Sequence, residues 1–152
     1  MRTTRVWLLA LILIAAMLAA CGGPRRVLGP PTLSVQEIET VDGHYWARVR
    51  LDSPASMPIT LASFSWSLTL DGSAAGRGNT ALDITLPPVA GDVIRVDLGP
   101  QAGLPALNTL GKDNTLAYVL EGELQCSEPN VRFPLRYEGR LRPTPGKPGS
   151  FR

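Results

Sequence analysis

The chain has 152 residues, 44% of them hydrophobic and 18% charged, with 15 Lys and Arg against 13 Asp and Glu. That length suits one domain around one core. The small positive excess resides in Arg2 and Arg5; beyond them the charges balance, which gives no basis for general nucleic-acid binding or for electrostatic attachment to anionic lipid.

Met1 to Arg5 carries those two charges and leads into an unbroken apolar run from Val6 to Ala20. A run of about 15 residues matches the core of a signal peptide and is short for a membrane span. It closes on Leu18-Ala19-Ala20-Cys21-Gly22, which resembles the bacterial lipobox. The resemblance implies that residues 1–20 are a lipoprotein signal peptide and that Cys21 is the lipidated residue, acylated on its thiol and, after cleavage, on its amine. The alternative, a retained anchor helix, is disfavoured by the length. Attachment would then come from acyl chains; each buried methylene contributes about 0.8 kcal/mol, so one chain holds weakly and two hold well. Gly22 rather than Asp after the cysteine implies the outer membrane of a Gram-negative envelope, on its periplasmic face.

Residues 21–31 contain Gly22, Gly23, Pro24, Gly29, Pro30 and Pro31 and are expected to form a flexible tether. From Leu33 and Val35 onward the apolar period is two. Tyr45, Ala47, Val49 and Leu51 alternate with polar neighbours, as in a strand with one buried face. Ile59 and Leu61 continue on odd positions, but Phe64, Trp66, Leu68 and Leu70 are even, so a bulge is expected near Ala62-Ser63. Asp71-Gly72 supplies a hairpin turn. Leu82, Ile84 and Leu86 form a strand ended by Pro87-Pro88, and Ile94, Val96 and Leu98 form another, opened by Gly91-Asp92. Leu104, Leu107 and Leu110 lie three apart between Pro105 and Gly111, which predicts a short helix.

The last hairpin runs through Leu116, Tyr118, Leu120, Gly122 and Leu124, turns over Cys126 to Asn130, and returns through Val131, Phe133, Leu135, Tyr137 and Leu141. Pairing Leu124 with Val131 keeps all of these on one face and sets Glu123 opposite Arg132. Pro134 lacks an amide proton, so its strand belongs at an edge or is broken there. About seven strands and one short helix predict an all-β antiparallel sandwich of immunoglobulin or fibronectin III type over residues 32–142. Residues 143–152, rich in Pro and Gly, are expected to be a disordered tail.

From Leu33 to Leu141 the chain resembles the WHy (water-stress and hypersensitive-response) domain, also called the late-embryogenesis-abundant type 2 domain. The fragments that carry the resemblance are Asp52-Ser53-Pro54 followed by Met57-Pro58-Ile59, then Leu68-Thr69-Leu70-Asp71-Gly72 and Ala74-Ala75-Gly76-Arg77-Gly78. The proline-interrupted passage from Ile84 to Leu98 and the closing Tyr118-Val119-Leu120-Glu121-Gly122 complete it. The resemblance implies a seven-stranded sandwich with a short helix, protection of cells and proteins in drying or cold, and no catalytic residues. Ser53 stands where the family usually has Asn, which bonds its own turn more strongly.

The inventory of chemical groups is thin. His44 is the single histidine, reads as a strand-end surface residue, and lacks the further ligands a zinc site needs. Gly76-Arg77-Gly78 lacks the strand–loop–helix setting of a phosphate loop and reads as a tight β connection. Asp92 and Asp97, and Glu121 and Glu123, read as solvated carboxylates rather than as a glycosidase pair. With Cys21 lipidated, Cys126 is either a small apolar residue at a strand end or the site of an intermolecular disulfide or a redox-sensitive thiol. No cofactor or metal is expected. Arg132, Arg136, Arg140 and Arg142 share outward parity, either as a charged edge that blocks strand addition or as a docking stripe for anionic headgroups or an acidic partner. The expected function is a non-enzymatic, membrane-anchored protein that protects against desiccation and related stress, its partners being the membrane and unfolded client proteins. The alternative is an envelope binding or assembly lipoprotein.

Overall fold

Two Asp-Gly pairs close the tight hairpins. Asp42 and Gly43 (φ 50° and 78°) join β1 (Thr32–Val41) to β2 (His44–Asp52). Asp71 and Gly72 (φ 44° and 78°) join β3 (Ile59–Leu70) to β4 (Ser73–Leu86). Positive φ at both central residues matches the twist of the flanking strands, and these residue types tolerate it. The computed structural model describes residues 27–111 and 114–152. It continues with β5 (Gly91–Pro100), a 3-10 turn (Gln101–Gly103), helix α1 (Pro105–Asn108), β6 (Leu116–Glu128), β7 (Asn130–Leu141) and β8 (Ser150–Phe151). The segment read as a signal peptide, Cys21 and most of the tether lie outside the described residues.

The strands form two four-stranded antiparallel sheets, β5-β2-β1-β8 and β4-β3-β6-β7, and the molecule is an all-β sandwich. Inward residues of both sheets form one cluster: Tyr45, Ala47, Val49 and Leu51 from β2, Ile94, Val96 and Leu98 from β5, Phe64, Trp66 and Leu68 from β3, and Leu120, Leu124 and Cys126 from β6. The parity change in β3 is a register shift between Leu61 and Ser63 against both of its neighbours. Pro134 lies in β7, an edge strand, as its missing donor requires. Helix α1 starts at Pro105 and buries Leu107, with Leu104 buried at its cap; Leu110 is only partly buried.

Four expectations are corrected. Gly76-Arg77-Gly78 is not a tight connection but part of β4, opposite Leu68, Ser67 and Trp66. A Cβ on Gly78 would lie 2.7 Å from the Trp66 ring, so the indole occupies the space that β4 leaves without side chains. In the last hairpin Leu124 faces Phe133, not Val131, and Glu123 faces Pro134. The turn is tighter than the expected five residues: β6 runs on to Glu128, and the cis Glu128–Pro129 bond sits at the tip. A shift of two leaves the inward set unchanged. Arg132 still reaches Glu123 diagonally, at 3.6 Å.

The tail is ordered rather than loose. Ser150 and Phe151 are buried; Phe151 pairs with Ile38 of β1 and bridges to Pro143. Arg142 and Arg152 exchange both backbone hydrogen bonds, at 2.9 and 3.0 Å. Residues 142–152 therefore form a strap that joins the end of β7 to the open edge of β1. It adds an eighth strand to the expected seven and extends the domain to Arg152. Finally, the described end of the tether is docked: Ser56 Oγ accepts from Val27 N (2.8 Å), and Ser56 N donates to Val27 O (2.9 Å).

Candidate functional site

The strand directions define two ends. The tether end carries the starts of β1, β3, β5 and β7 together with the loops 53–58 and 87–90; the distal end carries the Asp-Gly turns, α1 and the strap. At the tether end Ser53 does locally what Asn would do, its Oγ accepting from Ala55 N at 3.2 Å. Ser53 N donates to Ala90 O and Val89 N to Ala55 O, both at 2.9 Å, which ties the two loops together.

The arginine stripe is divided. Arg132 bonds Gln125 and pairs with Glu123, while Arg136 pairs with Glu121 and Glu138. Arg140 and Arg142 are exposed and have no side-chain partner among the described residues. The stripe's unneutralised charge is therefore at the distal end, where Arg142 lies beside Arg152.

The outer face of the other sheet carries charge in matched pairs. Arg48 meets Glu37 at 3.6 Å, Arg50 meets Asp52 at 2.8 Å, and Arg95 meets Glu39 at 3.5 Å while lying 5.0 Å from the Trp46 ring centroid. Lys147 of the strap donates to Glu37 at 2.5 Å, and Ser150 Oγ donates to the same oxygen. These two donors hold the Glu37 carboxyl below the ordinary carboxylate range, and the same contact raises Lys147. The Arg50 guanidinium likewise lowers Asp52. Exposed pairs of this kind each contribute about 0–1 kcal/mol, so the face is mainly a hydrated, self-neutralised surface. On β3 of the opposite sheet, Ser65, Ser67 and Thr69 alternate outward.

A cleft of about 660 Å³ lies at the distal end between α1 and the strap and is lined by Tyr45, Gln101, Leu107, Asn108 and Pro143 to Phe151. Tyr45 donates to Asn108 Oδ1 at 2.6 Å and stacks edge-on against Phe151, with ring centroids 6.0 Å apart. Burial raises the Tyr45 phenol above its usual range. The cleft is bounded by residues whose Pro and Gly content predicts a tail, so parity alone does not reveal it; Ser150-Phe151 beyond the prolines is the available signal.

His44 is partly exposed and pairs with Asp97, Nδ1 lying 3.1 Å from both carboxylate oxygens. This brings together two residues read separately; Asp92, Glu121 and Glu123 stay apart from them. Among the described residues no group of three His, Cys, Asp or Glu side chains could hold a metal ion. Cys126 is fully buried, and burial raises its thiol above the ordinary value. That is the small-apolar alternative in the form the packing requires.

No protein-family profile matches the chain, and no curated protein matches it. Solved structures do. The chain is similar to a protein from Arabidopsis thaliana determined in solution, with a TM-score of 0.58 and 18% identity over 86% of this chain and 91% of that one. It is similar to a protein described as late embryogenesis abundant (LEA), with a TM-score of 0.54 and 20% identity over 78% of this chain and 74% of that one. A crystal structure of a protein from Archaeoglobus fulgidus aligns with a TM-score of 0.52 and 8% identity, over 76% of this chain and 98% of that one. At these identities the likeness is one of fold alone.

Proposed function

We propose that this protein is a membrane-anchored, non-enzymatic module that protects envelope proteins or membranes during drying and related stress. The observation that carries the reading is an LEA-like sandwich whose outer faces present hydroxyls and mutually paired charges over one continuous core. Such a surface keeps water and resists self-association, and it can separate partly unfolded chains without competing for their folded state. The lipobox Leu18 to Cys21 supports acylation at Cys21, and Gly22 supports the periplasmic face of the outer membrane. The test is recovery of a desiccation-sensitive enzyme dried with the protein. We expect more activity to survive than with an inert sandwich domain of equal mass; equal recovery refutes protection.

A second reading, an envelope lipoprotein that docks a partner, is favoured by the unneutralised Arg140 and Arg142 beside the distal cleft. Crosslinking in cells should then yield one stoichiometric partner, lost when both arginines become glutamine.

A further inference from the structure

We propose that the tether end of the sandwich is an apolar foot that rests in the membrane interface and sets the domain upright on the bilayer. This rests on the anchored reading above and adds to it an orientation. Three large hydrophobic side chains are exposed among the described residues: Val27 (52%), Leu28 (40%) and Val89 (75%). All three are at this end. Val27 is held by its paired bonds to Ser56, and Val89 by its bond to Ala55, so both are fixed to the same loop 53–58.

The backbone at Val89 strengthens the case. Its φ is 51°, a left-handed conformation that a β-branched residue rarely adopts and that glycine or asparagine would adopt with less strain. A valine kept there, projecting into solvent, stores strain at a site where a contact can use it. The segments 27–31, 53–58 and 87–90 contain no Asp, Glu, Lys or Arg, and they contribute Pro30, Pro31, Pro54, Pro58, Pro87 and Pro88. Asp52 (paired with Arg50), Asp92 and Glu128 stand just behind them, and Arg25-Arg26 precede Val27 in the sequence, so the three segments themselves offer apolar contact.

The length of the chain identifies the occupant as the bilayer. Six peptide steps separate Cys21 from Val27, a reach of at most about 20 Å even when fully extended. Acyl chains on Cys21 thus keep this end within reach of lipid, and its exposed apolar side chains are what turn it toward the bilayer. The orientation has a consequence for the arginine stripe. β7 runs from the tether end to the distal end, and at about 3.3 Å per residue Arg142 stands about 30 Å further from the foot than Arg132. Arg140, Arg142 and the distal cleft then face away from the anchoring membrane, toward a soluble partner.

The experiment uses the full lipoprotein in vesicles of phosphatidylethanolamine and phosphatidylglycerol, part of the lipid carrying brominated chains. An environment-sensitive fluorophore is attached at Val89→Cys or, at the distal end, at Ala102→Cys; buried Cys126 stays unlabelled. We expect the label at position 89 to shift blue and to be quenched by bromolipid, and the label at position 102 to do neither. Adding Val27→Asn and Leu28→Asn should weaken the quenching while the protein still floats with the vesicles. An unquenched label at position 89 in protein that floats overturns the foot and leaves the anchor standing. A blue shift without quenching means that a second copy covers this end, and it also overturns the proposal. Failure of the unsubstituted protein to float removes the anchored reading itself, and the foot with it.

Discussion

Replacing Gly122 with alanine tests the pairing of the two central strands of the β4-β3-β6-β7 sheet. Gly122 lies opposite Trp66, and a Cβ there would collide with the backbone carbonyl of Ser65 and come within 2.7 Å of the Phe64 ring. The obstacle is main chain in a strand paired on both sides, so it cannot move aside as a side-chain tip would. Overpacking of this kind costs about 1–3 kcal/mol, and a rigid obstacle puts the cost at the upper end. Reduced freedom of the unfolded chain returns about 0.4–1 kcal/mol. The net loss is about 2 kcal/mol, or about 6–10 °C in Tm for a domain of this size. Gly103→Ala is the control, because a Cβ there meets nothing within 4 Å and should change stability by less than about 0.5 kcal/mol. Thermal and urea unfolding followed by tryptophan fluorescence give both numbers. Equal stabilities for the two variants would refute the β3–β6 register.

The strap supplies further tests. Phe151→Ala removes a side chain that is 6% exposed and stacked on Tyr45; because β8 pairs with β1 through only two residues and can detach locally, the cost should fall below the usual range for aromatic truncation, at about 2 kcal/mol. Limited proteolysis should then cut between Pro143 and Gly149. Glu37 titrates lower in the folded state than in the unfolded chain, so its contribution is present above about pH 4 and is lost as the pH falls through the folded value. Protection of the Ser150 and Phe151 amides against hydrogen exchange, taken relative to the intrinsic rate at each pH, should therefore fall in acid before that of β3, and Glu37→Gln should remove the difference. Cys126, buried and with its thiol raised by burial, should react with a thiol reagent at the rate of unfolding; fast labelling of the native protein would contradict its placement.

The features legible in the sequence were those written in apolar parity and turn chemistry. The change from Leu61 to Phe64 located the bulge, and Asp71-Gly72 located the turn. β4 was half hidden because Gly76 and Gly78 have no side chains to alternate; the bulk that fills their place belongs to Trp66, on another strand. The observed hairpin register differs by two from the one that parity suggests, because a period-two pattern is unchanged by such a shift, and the Glu123–Arg132 pair forms diagonally in the observed register. Proline and glycine between Arg142 and Gly149 concealed an ordered strap whose anchors, Ser150 and Phe151, come at its very end. Of the candidate site, the four arginines were readable by parity, but which of them are neutralised depends on cross-strand neighbours. The cleft depends wholly on the strap.

The central claim, a protective sandwich held at a membrane by lipid, is tested most directly at its N-terminus. Mass spectrometry of the protein isolated from bacterial membranes should find a first residue of Cys21, carrying acyl groups on both sulfur and nitrogen. A mature chain that retains Met1 to Ala20, or an unmodified Cys21, would contradict the account.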